Sequence, residues 1–352
     1  MLNEIKVKEK LRKGKRTVKW QKRIFHVTET IASKDNNNLY ITSSFFKDQI
    51  KYKAFCAYYA VMRIVDDRVD NLPLATFRSK ELYNRELAVI YGWEEIINSC
   101  RRGVFPTESQ LEACDFAAAE EVCESLIEAF QNFPVPIKLW TNFFEAMRSD
   151  IVADEFECWS DFLAYAEGAT VAPTTIYLFL IVTQRNKGNN SYELPAGFDL
   201  FRCGRYLGIF AYLGHIIRDL AEDIKNSATR FCITREDIVY HGVTIDKLRD
   251  EAFRYQASLS TRNLVVEILQ RAQNYLLKGR AITLQIQDVI DADCRFILEL
   301  IITMYEHVIA KIESVGFDPM GRRHYLTSKE KANIVQSVAV QTGFSFPDWA
   351  SI

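Results

Sequence analysis

Residues 206–223 read YLGIFAYLGHIIRDLAED, and this stretch decides the fold class. Its apolar side chains recur every three or four positions, which is the spacing of an amphipathic helix. His215, Asp219 and Asp223 follow at intervals of four residues and therefore share one stripe of that helix. Charged groups directly beyond an apolar helix face indicate a helix that lines an apolar cavity and carries polar groups at one end.

A second helix of the same design ends at Asp70. Residues 54–70 read AFCAYYAVMRIVDDRVD, in which Asp66 and Asp70 again stand four apart after an apolar run. Like charges at this spacing disfavour a helix, and near its C-terminus they also meet the negative end of the helix dipole. Two helices of this design indicate two facing walls of one cavity. Their facing carboxylates repel each other strongly unless they bind cations.

The residue types around these acids predict the bound groups. Hard carboxylate oxygens favour Mg²⁺, with Mn²⁺ as a second candidate, and Mg²⁺ commonly completes its shell with substrate phosphates. Arg63 and Arg218 stand close to the acids in sequence and are candidates to hold phosphate oxygens. A substrate with a diphosphate head and an apolar tail fits this pattern, because aromatic walls would exclude water from the cation left when the diphosphate departs.

Helical spacing continues over most of the chain, and strand alternation is nearly absent. The 14 Gly and 8 Pro among 352 residues are too few for a turn-dense β fold. We predict one all-α domain, a helical bundle around a central apolar cavity, in residues 36–345, preceded by a basic arm and first helix in residues 1–35. Predicted helices are 47–70, 78–100, 108–131, 135–155, 159–185, 198–226, 244–257, 261–280, 285–315 and 328–342.

The charge distribution separates the N-terminus from the rest of the chain. Residues 1–23 hold ten Lys or Arg and two acids, whereas the other 329 residues hold 34 basic and 44 acidic side chains. An acidic body argues against a nucleic-acid partner. The basic arm suits peripheral contact with anionic membrane lipid, which places the protein in the cytoplasm at the inner face of the membrane.

Cysteine usage is typical of a cytoplasmic protein, and the apolar runs are shorter than a membrane span. The eight cysteines are scattered without a CxxC pair, which favours reduced thiols over a disulfide framework or a zinc site. The longest apolar run, Ile176–Val182, is far short of the ~20 residues that span a bilayer. We therefore expect a buried helix there and no transmembrane segment.

The two charged stretches resemble the signature motifs of the squalene/phytoene synthase family, the head-to-head trans-isoprenyl diphosphate synthases. Residues 59–70, YAVMRIVDDRVD, are similar to the family pattern Y-A-x-x-R-x-x-D-D-x-x-D. Residues 218–223, RDLAED, are similar to its R-D-x-x-E-D, and the separation of about 150 residues is also the family's. The resemblance implies an isoprenoid-synthase-type helical bundle and a synthase-like catalytic domain.

The resemblance also implies roles for single residues. Asp66 and Asp70 would bind metal on one wall, and Asp219 on the other with Asp223 beside it. His215 stands where the family usually has a magnesium-binding Asn, so it is a candidate metal ligand or phosphate donor. The implied diphosphate contacts are Tyr59, Arg63, Arg218 and Tyr305, with Ser43 and Ser44 in a segment that closes over the diphosphate; Tyr165 is the implied cavity tyrosine.

Other lining positions depart from the family pattern. Tyr212, a candidate substrate contact, stands where the family often has Gln, and Pro173 lies where a glycine-rich kink is usual. These changes leave diphosphate ionisation intact and bear on which product forms.

The implied activity is metal-dependent condensation of two allylic prenyl diphosphates, farnesyl or geranylgeranyl, head to head. It proceeds through a cyclopropylcarbinyl diphosphate to a squalene-type or phytoene-type hydrocarbon, and the use of NADPH stays open. One alternative is a class I terpene cyclase or a prenyltransferase that uses a single allylic diphosphate. The other is a non-catalytic scaffold with the same fold.

Overall fold

The computed structural model describes residues 18–34, 37–72, 79–151, 155–186, 188–189, 191–225, 231–321 and 324–346, with side chains from residue 23 onward. This part of the chain is almost entirely helical, which confirms the predicted all-α class. Residues 1–17 of the basic arm lie outside the described residues, so the predicted membrane contact of the arm stays a prediction. The helices are α1 Val18–Ser33, α2 Asn38–Ser43, α3 Gln49–Asp70, α4 Lys80–Arg101, α5 Glu108–Ala113, α6 Ala119–Asn132, α7 Ile137–Asp150, α8 Trp159–Ala166, α9 Ala172–Val182, α10 Leu200–Asp223, α11 Arg235–Tyr240, α12 Ile245–Arg254, α13 Leu259–Thr283, α14 Ala292–Ser314 and α15 Ser328–Thr342.

Several helices begin directly after a side chain that accepts a hydrogen bond from a free backbone N–H group of the first turn. Asp48 caps α3 by accepting a hydrogen bond from the Ile50 N–H, and Asp199 caps α10 in the same way. A two-stranded hairpin, β1 Gln184–Arg185 and β2 Tyr192–Glu193, follows α9, and the Tyr192 hydroxyl donates to Asp48. The hairpin therefore connects the end of α9 to the start of α3.

The predicted helix 159–185 is instead two helices joined by a π-helical turn, Glu167–Val171. Pro173 lies in the first turn of α9 and has no N–H to donate toward Ala169, so a regular α-helix cannot continue through this point. The Ala172 N–H bonds to the Glu167 carbonyl five residues back, which widens the turn. The regular pattern of helix hydrogen bonds is thus interrupted before Pro173, over the five residues Glu167–Val171.

Other differences concern short segments. The predicted helix 108–131 is divided into α5 and α6, with Asp115 in the left-handed region at φ 49°. The predicted helix 285–315 begins only at Ala292, and α2 and α11 are single-turn helices that periodicity did not indicate. Helices of about six residues are too short to show a 3.6-residue pattern.

The stretch Trp159–Val182 is long and apolar enough, by length and composition, to cross a membrane. Within the protein, 72% of its apolar window is buried. All but two residues of α9 are buried by neighbouring helices. A core helix of this kind passes the same test as a membrane span, and its burial agrees with the prediction made for Ile176–Val182.

Small residues bring α9 and α10 together. A Cβ added at Gly204 would meet the Thr175 side chain at 2.1 Å, and one at Gly208 would meet the Val171 Cα at 3.1 Å. These pairs show that α9 and α10 run antiparallel with their backbones close. On the other side of α10, Phe210 packs edge-on against Tyr305 of α14, so these two helices form adjacent walls.

A buried lysine joins three of these helices. The Lys51 ammonium of α3 is 1% exposed and donates to the Thr183 carbonyl at 2.7 Å and the Ile181 carbonyl at 3.4 Å. It also contacts the Cys294 sulfur of α14 at 3.2 Å. Lys51 therefore donates to carbonyl groups at the C-terminus of α9 that receive no N–H donor within the helix, and it fixes α3, α9 and α14 relative to one another.

Gly168 in the π turn provides a test of this close packing. A Cβ there would lie 2.0 Å from the Asn142 carbonyl oxygen of α7, so Gly168→Ala must move backbone. We expect it to lower the free energy of unfolding by about 2–3 kcal/mol in urea titration. Gly321→Ala is the matched control, because its Cβ would meet its nearest neighbour only at 3.6 Å. Equal stability of the two variants would contradict the packing described here.

Candidate active site

One cavity of about 870 Å³ lies between α3, α9, α10 and α14, as the predicted bundle requires. Its inner part is apolar and aromatic, and its charged residues cluster where α3 and α10 end. The lining from these helices comprises Tyr59, Met62, Arg63, Asp66, Asp67, Asp70, Pro173, Thr174, Tyr177, Leu178, Ile181, Leu207, Phe210, Ala211, Tyr212, His215, Arg218, Asp219, Leu298, Ile301, Ile302, Tyr305 and Val308.

On the first wall, the three aspartates of α3 differ in their partners. Asp67 is paired with Arg63 at 2.8 Å and with Lys34 at 2.7 Å, so its charge is compensated. Burial, and then the charge of Asp70, raise the pKa of Asp66 to about 8. Asp70 lies at the exposed rim of the cavity. Partial desolvation of its carboxylate by the protein, and then the charge of Asp67, raise its pKa. The two acids of the i, i+4 pair are therefore poorly stabilised as anions.

On the second wall, Asp219 is well stabilised. Its carboxylate accepts hydrogen bonds from Arg218 at 2.6 and 3.0 Å and lies 2.9 Å from the His215 ring nitrogen. Burial opposes ionisation, but the hydrogen bonds from His215 and Arg218 outweigh it and hold the Asp219 pKa below its usual range. Asp223, one turn further, has a pKa raised to about 7 by burial and by the charge of Asp219.

The two acidic stretches face each other. The charge of Asp70 on α3 contributes to the raised pKa of Asp223 on α10, and the charge of His215 on α10 lowers that of Asp70. Such coupling requires the groups to be close across the mouth of the cavity. The structure therefore brings together the metal candidates of both motifs, as expected from two walls of one cavity.

Aromatic side chains line the cavity below the charges. Tyr59 stacks on Phe55 with ring centroids 5.2 Å apart, and Tyr305 meets Phe210 edge-on at 6.4 Å. Burial raises the pKa of Tyr59, of Tyr212 and of Tyr305, so all three hydroxyls stay protonated. The cavity therefore offers neutral aromatic surface next to the charged mouth.

Several predicted site residues lie away from the described cavity lining. The Ser43 and Ser44 hydroxyls donate to backbone carbonyls three residues earlier, at 2.8 and 2.7 Å, a bond that short hydroxyl side chains readily make in helices. The same N-terminal segment instead lines the cavity through residues 37–39. Tyr165 donates to Asp150 at 3.0 Å and packs behind Tyr212, where it supports the wall.

Two lining residues escaped the sequence analysis. Tyr325 donates to Asp219 at 2.8 Å, and its ring lies 4.5 Å beneath the Arg218 guanidinium. Lys331, in the first turn of α15, also lines the cavity, and burial together with the charge of Arg218 lowers its pKa. Neither residue belongs to an acidic motif. They reach the mouth because the chain returns after α14, and spacing along the sequence does not reveal that return.

A second acidic group lies elsewhere. Asp291, Asp293 and Cys294 have their side-chain ligand atoms within 4.8 Å of one another, the one such group of three in the described residues. Asp293 accepts the Lys47 N–H at 2.7 Å, and the Cys294 sulfur contacts Lys51. These donors give the group a structural role at the start of α14.

Comparison with known proteins agrees with this geometry. A family model for squalene/phytoene synthase matches residues 32–330. The chain belongs to the squalene/phytoene synthase family. It is similar to 4,4'-diapophytoene synthase of Staphylococcus haemolyticus strain JCSC1435, at 21% identity over 293 residues that cover 81% of this chain and 86% of that protein. Members of the family are prenyltransferase-type synthases, so the protein is an enzyme of that type.

Solved structures show the same fold. A dehydrosqualene synthase with a bound ligand superposes with a TM-score of 0.71 at 18% identity, covering 92% of this chain and 98% of that one. Squalene synthase HpnC from Alicyclobacillus acidocaldarius gives a TM-score of 0.65 at 18% identity, with 85% and 96% covered. These likenesses confirm the isoprenoid-synthase helical fold.

The mouth fits a divalent metal, which members of the family generally use to bind diphosphate. Asp66, Asp70 and Asp223 have raised pKa values because burial and neighbouring carboxylates oppose their ionisation, and an added positive charge favours it. A hard divalent cation supplies that charge through oxygen ligands. The donor set is therefore suited to Mg²⁺ or Mn²⁺ together with substrate phosphate.

Tyr325 is expected to orient Asp219 for this role. Tyr325→Phe keeps the ring beneath Arg218 and removes only the hydrogen bond, so we expect Mg²⁺-dependent binding of inorganic diphosphate to weaken about 3–10-fold. Titration calorimetry measures the change. Tyr240→Phe, at a side chain 78% exposed and away from the lining, is the control. Binding unchanged within twofold in Tyr325→Phe would show that Asp219 needs no support from Tyr325.

Proposed function

We propose that the protein condenses two molecules of a C15 allylic prenyl diphosphate head to head, in a reaction that depends on a divalent metal. The observation that carries this proposal is the pair of facing acidic stretches at the mouth of one apolar cavity. Membership of the family supports head-to-head prenyl condensation in general. The C15 substrate, the divalent metal and the product type go beyond what family membership supports.

The cavity volume favours the C15 substrate. A methylene-sized group occupies roughly the ~30 Å³ that a water molecule takes in the liquid, so two C15 tails need about 900 Å³ and two C20 tails about 1,200 Å³. The cavity measures about 870 Å³. This volume includes the charged mouth, so the space left for tails is closer to what two farnesyl chains need than to what two geranylgeranyl chains need.

The charged residues of the mouth suit the binding of two diphosphates. Arg63, Arg218 and Lys331 all line the cavity at this end. Arg218 is held in place by Asp219 and by the face of Tyr325, so its orientation is set before substrate arrives. Preorganised cations stabilise the negative charge that grows on a departing diphosphate, and this lowers the barrier to ionisation. Bound Mg²⁺ or Mn²⁺ supplies further charge of this kind.

Below the mouth, the chain protects the carbocation. When the C1–O bond of one substrate breaks, the diphosphate leaves with the electron pair and C1 becomes cationic. Tyr59, Phe210 and Tyr305 present aromatic surface that stabilises this charge and excludes water. The C2–C3 double bond of the second substrate then captures the cation, and proton loss gives a cyclopropylcarbinyl diphosphate. Departure of the second diphosphate and rearrangement then give a C30 cation, which becomes a neutral hydrocarbon by loss of a proton or by addition of hydride from NADPH.

Product analysis tests the proposal. Purified protein incubated with Mg²⁺ and farnesyl diphosphate is expected to release diphosphate and form a C30 hydrocarbon, identified by mass spectrometry. Relatives are named for squalene and for dehydrosqualene, and squalene is the more reduced of these two hydrocarbons. The reaction is therefore run with and without NADPH. Asp66→Ala and Asp219→Ala are expected to lower the rate at least ~1,000-fold, because each removes a charge that the transition state needs. Asp246→Ala, at a side chain 94% exposed, is the control.

Other products would favour other functions. Release of diphosphate with only C15 products would contradict head-to-head coupling and support a cyclase or a single-substrate prenyltransferase. No release from farnesyl or geranylgeranyl diphosphate, with Mg²⁺ or Mn²⁺, would contradict enzymatic use of this cavity.

We also propose a cytoplasmic location beside the inner face of the membrane. All eight cysteines are free thiols, which suits a reducing compartment. The exposed side chains of Phe253 and Tyr255 lie around Lys225, two residues beyond Asp223, so apolar and basic groups adjoin the mouth. Fractionation of cells into cytosol and membrane, at low and high salt, tests this location.

A further inference from the structure

The chain between α14 and α15 brings two side chains to the mouth of the cavity. This return segment, residues 315–327, is described over 315–321 and 324–327 and is irregular there. Tyr325 at its end supports Asp219 and Arg218, and Lys331 lines the mouth from the first turn of α15. An irregular segment keeps its position through contacts with the helices around it. The contacts that hold the return segment therefore also hold part of the mouth.

Arg262 of α13 anchors the first half of the return segment. Its guanidinium donates to the Gly316 carbonyl at 2.9 Å and to the Asp318 carboxylate at 2.7 Å. The His324 ring contacts the Asp318 carbonyl at 3.0 Å, a bond within the segment itself. Both contacts of Arg262 lie at least seven residues before Tyr325 in the chain. They leave the end of the segment to be attached by another helix.

Lys311 of α14 makes that attachment. Its ammonium donates to the Tyr325 carbonyl at 2.8 Å and to both carboxylate oxygens of Glu330 at 2.9 Å. Glu330 also accepts the Thr327 N–H at 2.6 Å, in the capping box that begins α15. An ammonium has three N–H groups to donate, so these bonds use its donors well. Lys311 thus connects α14 to the backbone of Tyr325 and to the residue before Lys331.

We propose that Lys311 is a positioning residue for diphosphate binding and acts through Tyr325 and Lys331. The inference rests on the proposed function. The Lys311 side chain is 30% exposed, and the described lining of the cavity does not include it. Without its ammonium, the end of the return segment loses its bonds to α14 and can shift relative to Arg218. A shift of about 1 Å in a preorganised site is enough to weaken binding.

Glu330→Gln separates positioning from long-range electrostatics. The substitution removes a negative charge beside the anion site and keeps an acceptor for the Thr327 N–H, so electrostatics alone predicts tighter diphosphate binding. Positioning predicts weaker binding, because a neutral amide holds the Lys311 ammonium less strongly than a carboxylate does. We expect the Kd of inorganic diphosphate with Mg²⁺, measured by titration calorimetry, to rise about threefold.

Lys311→Met removes the ammonium and keeps a long side chain. We expect the same Kd to rise about 10-fold. Lys311→Arg can donate to the same carbonyl and carboxylate, so it is expected to bring the Kd back to within about threefold of the wild type. Lys329→Met is the matched control, because it removes the same charge from an exposed side chain in the first turn of α15. Its Kd is expected to change less than about twofold, because exposed charges are screened.

A combination of variants tests the route of the effect. In a protein that carries Tyr325→Phe and Lys331→Met, adding Lys311→Met is expected to raise the Kd less than about threefold further, because its targets are already lost. Thermal unfolding without ligand establishes which variants are folded, and Glu330→Gln carries the test if Lys311→Met is not. Equal Kd values in Lys311→Met and Lys329→Met, tighter binding in Glu330→Gln, or a full 10-fold effect in the triple variant would overturn the role of Lys311. Absence of diphosphate binding and of any head-to-head product in the wild type would instead overturn the proposed function.

Discussion

Repulsion between carboxylates on α3 and α10 is the constraint on which the site depends. Asp70 lies close to Asp223 across the mouth of the cavity, and the raised pKa values of Asp66, Asp70 and Asp223 show that the protein alone does not stabilise these anions fully. Asp67 and Asp219 are different, because basic side chains already compensate their charge. The mouth therefore combines acids whose ionisation is opposed by their surroundings with acids that hold its arginines in place.

Such an arrangement persists only if the helices that carry it cannot move apart. The fold meets this requirement at the opposite end of the bundle. Lys51 joins α3, α9 and α14 through three buried contacts, and Gly204 and Gly208 allow α9 and α10 to pack backbone against backbone. Rigid packing around an apolar cavity offsets the electrostatic cost at its mouth, and the same packing excludes water from a reacting cation.

The sequence predicts the fold and the acidic walls because both depend on local periodicity. An i, i+4 spacing places Asp219 and its neighbours on one helix face whatever the tertiary structure. Tyr325 and Lys331 reach the mouth through the path of the chain after α14, which no local pattern encodes. The Ser43 hydroxyl donates to the backbone carbonyl of Tyr40, and this bond depends on the side-chain rotamer rather than on the residue type. Pro173 predicts a distortion, but its form as a π turn in which Gly168 packs against α7 is a tertiary feature that spacing does not specify.

Thermal unfolding with Mg²⁺ and inorganic diphosphate tests most directly whether a cation relieves this repulsion. Metal and diphosphate together are expected to raise the Tm of the wild type by about 3–5 °C at 100 times the Kd. Asp66→Asn combined with Asp219→Asn is expected to abolish the rise, while Asp246→Asn leaves it unchanged. An equal rise in the doubly substituted protein, or none in the wild type, would contradict a metal–diphosphate site between α3 and α10.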